Sequence, residues 1–181
     1  LEGRLGRDDS RLALADRGVE VRYLSAPDLG KIRLLDVQFA VDEQTKVVAL
    51  ASAHFISGWR PNLEAIGKWL HSRNVLLCVD AIQTLGAFPT TVEHIDLLAA
   101  DAHKWLLGPC AAGVLYVRRD LHQRLQPLVH GWHNVVSPNF ITQEQLRLRP
   151  DARRYEAGTH NLIGLAGLRA AFALAEEIGI E

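Results

Sequence analysis

The chain has 181 residues, 48% of them hydrophobic, which suits a single domain with one substantial buried core. Twenty basic and twenty-one acidic side chains leave a formal net charge of -1. That balance gives no overall drive toward nucleic acid or an anionic membrane surface, and small-molecule chemistry is the better expectation. No stretch reaches the ~20 apolar residues needed to cross a bilayer. The opening LEGRLGRDDSR is charged where a secretory signal would be apolar, so a cytoplasmic protein is expected. Methionine is absent throughout, position 1 included, and the chain is expected to be a fragment or a processed form.

Short apolar runs bounded by turn residues predict five buried strands in chain order: VEVRYL at 19–24, KVVALAS at 46–52, VLLCVDA at 75–81, IDLLAAD at 95–101 and AGVLYVR at 112–118. Between the second and third, NLEAIGKWLHSRN places Leu63, Ile66, Trp69 and Leu70 at helical spacing, with Asn62 in position to cap the first turn. A strand, a helix of this length and another buried strand form a βαβ crossover, which favours a mainly parallel sheet with helices on both faces. The segment from Pro127 to Pro150 has no strong period and reads as a long connection. NLIGLAGLRAAFALAEEIGIE then predicts a closing helix with Leu165, Leu168, Ala171, Phe172 and Ala175 on one side. Cys78 lies in the apolar VLLCVD run, and two cysteines are too few for a disulfide framework.

In open parallel sheets ligands collect beyond the strand C-termini, which singles out His54–Arg60, Asp80–Gln83 and Asp101–Lys104. Asp80 closes the run VLLCV, where a buried carboxylate needs a positive partner. A protonated pyridinium nitrogen is one such partner, and pyridoxal-phosphate (PLP) chemistry requires it because the ring takes up carbanion charge. Gln83 could offer an amide donor to a ring hydroxyl. Lys104, in DAHKWLLGP, sits where partial burial and a cationic neighbour lower an amine's proton affinity, as covalent PLP binding demands.

The runs VDAIQTLGAFP, DLLAADAHKWLLGP, GVLYVRRDL and RRYEAGTHN, in that order, resemble the class V aminotransferase family, which includes cysteine desulfurases and isopenicillin-epimerase-like proteins. The resemblance runs from LADRGVEVRYL to the terminal helix. It implies the large domain of a three-layer PLP-dependent transferase over residues 1–181, with the family's phosphate-binding loop preceding this region and its small domain following it. It also implies a homodimer acting on a small-molecule amino acid through a Schiff base. Lys104 matches the Schiff-base lysine that moves protons at the substrate α-carbon, Asp80 the partner of the pyridine nitrogen, and Gln83 the residue beside the ring hydroxyl. His103 matches a phosphate-contacting histidine. Gly158 and Thr159 match a segment that reaches a phosphate across the dimer interface.

The chain departs from the family at three places: Asp101 stands where desulfurases carry a phosphate-binding serine, Phe55 falls where an asparagine approaches the cofactor, and Ala111 replaces a common glycine. Plainer readings stand beside the chemical ones. Asp80 is also a good turn residue, His103 could order a loop, and Thr159 could belong to the start of the last helix. His130, His133 and His160 match no metal-binding spacing. The rival to an enzyme is a non-catalytic core that keeps the fold and serves as a dimerisation or binding module.

Overall fold

A computed structural model describes residue 14 and residues 16–136 and 145–179. The charged opening LEGRLGRDDSR, residues 137–144 of the predicted long connection and the last two residues lie outside the described part.

The regular elements are helix α1 (Leu34–Ala40), strand β1 (Val47–Ala51), helix α2 (Leu63–His71), and strands β2 (Leu76–Asp80), β3 (Leu97–Asp101) and β4 (Gly113–Val117). Short 3₁₀ turns follow at Arg119–Leu121 and Ala152–Tyr155, and helix α3 (Leu162–Ile178) closes the chain. The sheet order is β1-β2-β3-β4, with β1, β2 and β3 parallel and β4 antiparallel to β3. This is a mostly parallel α/β sheet, and four of the five predicted strands are present.

The fifth, over 19–24, is not a strand. Its residues find no neighbouring edge, Val19 and Tyr23 are largely exposed, and Leu24 packs against the core. Arg22 holds the segment through its guanidinium, 2.9 Å from Asp42 and 3.0 Å from the Thr45 hydroxyl. The Val19 N–H instead turns back to the Leu14 carbonyl at 3.1 Å, and a segment that joins no sheet edge remains a connection whatever its composition.

Helix α2 forms as the spacing requires. The Asn62 side chain accepts the Ala65 N–H at 3.0 Å, and Ile66, Gly67 and Leu70 are the buried positions. Gly67 has no room for a β-carbon, which would come within 2.2 Å of the His94 carbonyl oxygen. The helix can therefore approach the 91–95 loop closely only with glycine there.

Alternation along the strands divides the sheet into two unlike faces. Val48 and Leu50, Leu77 and Val79, and Leu98 and Ala100 are buried with α2 in one core cluster. Leu168 of α3 reaches the same cluster beside Ala102, Leu106 and Ala112. On the other face Val47, Ala49, Ala51, Ala99 and Leu115 are exposed and Cys78 is half-buried. Asp80 and Asp101 belong to this open face, at the C-terminal ends of β2 and β3.

Candidate active site

Beyond the C-terminal edge of the sheet, on its open face, lies a depression of about 670 Å3. Ala99, Ala111, Ala112 and Gly113 form a floor of small groups; Asp80, Asp101 and Glu156 supply carboxylates; Ile82, Leu115 and Tyr155 complete the wall. The parallel β2–β3 pairing, with Asp80 opposite Ala99, puts Asp80 and Asp101 on one side of adjacent strands.

Asp80 is exposed rather than buried, because nothing among the described residues covers that face. The expectation that burial forces a positive partner on it is therefore corrected. Its Oδ1 accepts the Ile82 N–H at 3.0 Å, so it does act as a turn residue. One bond leaves most of the acceptor capacity of an ionised carboxylate unused.

Gln83 is half-buried in the turn after β2, fixed by the Thr84 and Leu85 N–H groups on the Ala81 carbonyl at 3.0 and 2.9 Å. Lys104 is half-buried and His103 exposed in the turn after β3, where the Leu107 N–H donates to the Lys104 carbonyl at 3.1 Å. Leu107 adopts φ 55°, a left-handed turn residue that swings the chain back toward β4. Thr159 is exposed ahead of α3. It does not cap that helix: Asn161 does, accepting the Gly164 N–H at 3.0 Å.

Of the five predicted site residues, only Asp80 lines the depression. Lys104, His103 and Gln83 stand at the same sheet edge outside its wall, and Thr159 is on a separate segment. Ile82 and Asp101 lie in the stretches singled out at the ends of β2 and β3, with no role assigned to either; Ala99, Tyr155 and Glu156 are the residues not foreseen. Period-two alternation would have put Ala99 and Asp101 on the Asp80 face. Tyr155 and Glu156 follow an aperiodic turn that carries no such signal.

The local electrostatics are acidic. His103 Nδ1 lies 3.2 Å from Asp101 Oδ1, a close contact whose alignment falls short of a hydrogen bond. The His103 imidazole, then the Ala102 and His103 backbone N–H groups, hold the Asp101 carboxyl below its ordinary range against a smaller desolvation cost. Burial, and then the Asp80 charge, push the Cys78 thiol up. Glu156 is engaged by His160, whose Nε2 is 2.9 Å from its Oε2, and the His160 ring lies against that of His133. Among the described residues no three His, Cys, Asp or Glu side chains converge as a metal site.

A mostly parallel α/β sheet with an acidic, small-floored depression at its C-terminal edge is the general form of a ligand-binding α/β enzyme domain. The sequence profile described as aminotransferase class-V matches residues 11–181, and the chain belongs to that family. A probable cysteine desulfurase of Methanothermobacter thermautotrophicus is 33% identical over 171 residues, spanning 93% of this chain and 42% of the relative. The cysteine desulfurase IscS of Aeromonas hydrophila is 38% identical over 125 residues, 68% of this chain and 31% of the relative. Among solved structures, the apo cysteine desulfurase of Thermococcus onnurineus NA1 superposes with TM-score 0.81 at 29% identity, over 93% of this chain and 42% of that one. The chain thus spans between about a third and two-fifths of the length of these relatives.

Proposed function

We propose that this chain supplies the cofactor-holding part of a PLP-dependent enzyme acting on an amino acid, with Lys104 as the residue that carries the cofactor. The observation behind the reading is positional: Asp80 ends β2 and Lys104 follows the adjacent parallel strand β3 at one sheet edge, in a chain of the class V family. PLP is the cofactor of that family. Of the lining of the depression, Asp80 with its open acceptor positions suits the ring nitrogen and Ile82 and Leu115 offer apolar surface, while Lys104, Gln83 and His103 would reach the cofactor from the same sheet edge outside that wall.

Bound PLP supplies an electron sink for charge developing at the substrate α-carbon. Lys104 would attach the cofactor through its amine and move a proton at that carbon. Asp80 would keep the ring nitrogen protonated, Gln83 would donate to the ring hydroxyl, and His103 would contact the phosphate. Exposed Thr159, next to a Gly158 with open space around it, suits a contact made to a second copy, and a homodimer is part of the proposal. The relatives are named as cysteine desulfurases, which makes cysteine the first amino acid to try.

The test is spectroscopic. The protein incubated with PLP should turn yellow, and borohydride should bleach the band and fix the cofactor to the peptide containing Lys104. Lys104→Ala should bind without that band. Reduction that tags another lysine, or a folded protein that takes up no PLP, would reject the assignment.

A further inference from the structure

We propose that Asp101 is a positioning residue for His103, holding the ring by its Nδ1 edge so that Nε2 is the nitrogen presented to the cofactor. The inference rests on the proposed role of His103. It accounts for a carboxylate standing in the wall of a site meant for a phosphate-bearing ligand.

Asp101 is the last residue of β3, and its backbone is fixed by the pairing with Gly113 and by the Ala102 N–H on the Ala112 carbonyl at 2.8 Å. Gly113 lies so close that a β-carbon there would come 2.6 Å from the Ala100 carbonyl oxygen. The strand end is thus a rigid mount. His103, two residues on, sits exposed in the turn with its Nδ1 3.2 Å from Asp101 Oδ1.

An imidazole has two nitrogens on opposite edges, and fixing a donor at one determines what the other offers. With Nδ1 turned to the carboxylate, Nε2 points away from the strand. The lowered Asp101 carboxyl keeps its charge at neutral pH, so the hold persists there. An unengaged carboxylate beside a phosphate would repel it; with Nδ1–H held by the carboxylate, the ring donates to a phosphate by taking a second proton on Nε2, and the resulting cation stands between the two negative charges. The pair is roughly 40% exposed on each side, so its contribution lies in orientation more than in stability.

Nitrogen-15 NMR of the imidazole rings in the cofactor-free protein tests the positioning directly. In the wild type, His103 should carry its proton on Nδ1. In Asp101→Ala the ring should move toward the Nε2-protonated form that free imidazoles prefer, while Asp101→Asn, which keeps an acceptor oxygen, should fall between. A His103 spectrum indifferent to Asp101→Ala overturns the proposal.

Equilibrium PLP binding tests the consequence. Asp101→Ala should weaken it roughly fivefold, the scale of a partly exposed charge pair, and should add no further loss in a His103→Ala background. Additive losses overturn the proposal. If His103→Ala leaves PLP affinity intact, the cofactor half falls, whereas Lys104 and Asp80 are judged separately by the borohydride and absorbance result.

Discussion

Strand β3 is flanked by two carboxylates with opposite fates. Asp96, immediately before its first residue, is fully buried; Asp101, its last, has a side chain 41% exposed. Asp96 accepts the Leu77 N–H at 2.7 Å and the His71 Nε2 at 3.0 Å, and Arg118 closes on its other oxygen. That cluster ties the end of α2, the start of β2, the start of β3 and the end of β4 into one joint. At the opposite edge Asp80 accepts the Ile82 N–H, and Asp101 faces the His103 imidazole and the Ala102 and His103 backbone N–H groups, with no guanidinium on either among the described residues. A buried carboxylate has to spend its acceptors on the fold, because the desolvation cost is otherwise unmet. One left open at the strand C-termini keeps them for a ligand.

The contrast can be broken by truncating both kinds. Asp96→Ala should cost about 3 kcal/mol of unfolding free energy, since it strands the buried Leu77 N–H and removes the counter-charge of Arg118 and the hydrogen-bond partner of His71. The value stays at the low end because Arg118 keeps Asp120, 2.6 Å from its Nε, and is itself a third exposed. Asp80→Ala should change stability by less than about 1 kcal/mol, as an exposed turn residue does, while PLP affinity falls roughly 10- to 100-fold with the loss of a charge-assisted bond. Urea titration and PLP titration of the two variants suffice. Equal destabilisation by both would dissolve the distinction.

Asn62→Ala sharpens it. Losing the α2 cap should cost about 1 kcal/mol, and because α2 ends at His71, the loosening should be felt at the Asp96 joint. Hydrogen exchange should speed at the Leu77 amide and leave the Ile82 amide, in the turn at the Asp80 edge, unchanged.

Much of this was legible in the residues. Apolar runs located β1 to β4, and helical spacing after Asn62 located α2, because burial on one face imposes a period that the sequence must carry. Two things were less legible. VEVRYL has the composition of a strand, but pairing depends on an available edge and not on composition. Helix α1 was missed because LLDVQFA is only seven residues long, with Val37 as its one buried side chain. At the proposed site, family order pointed to Asp80 and Lys104, but VLLCV implied a buried Asp80. An apolar run tells which residues can be buried, and the cover on each face decides which are.

The smallest expected effect concerns that uncovered face. Cys78 and Asp80 alternate onto it from one strand, and Cys78 is half-buried whereas Cys110 is exposed in the loop after Lys104. Alkylation proceeds through the thiolate, so a raised Cys78 thiol should react more slowly than Cys110 at a mildly alkaline pH. Part of that elevation comes from the Asp80 charge. Asp80→Asn removes the charge with little change in shape, and should speed Cys78 alkylation up to a few-fold while leaving Cys110 unchanged, as peptide mass analysis over time would resolve. If Cys78 instead reacts as fast as Cys110 and ignores the substitution, the Asp80 carboxylate does not act on that face, and its availability to a ligand there falls with it.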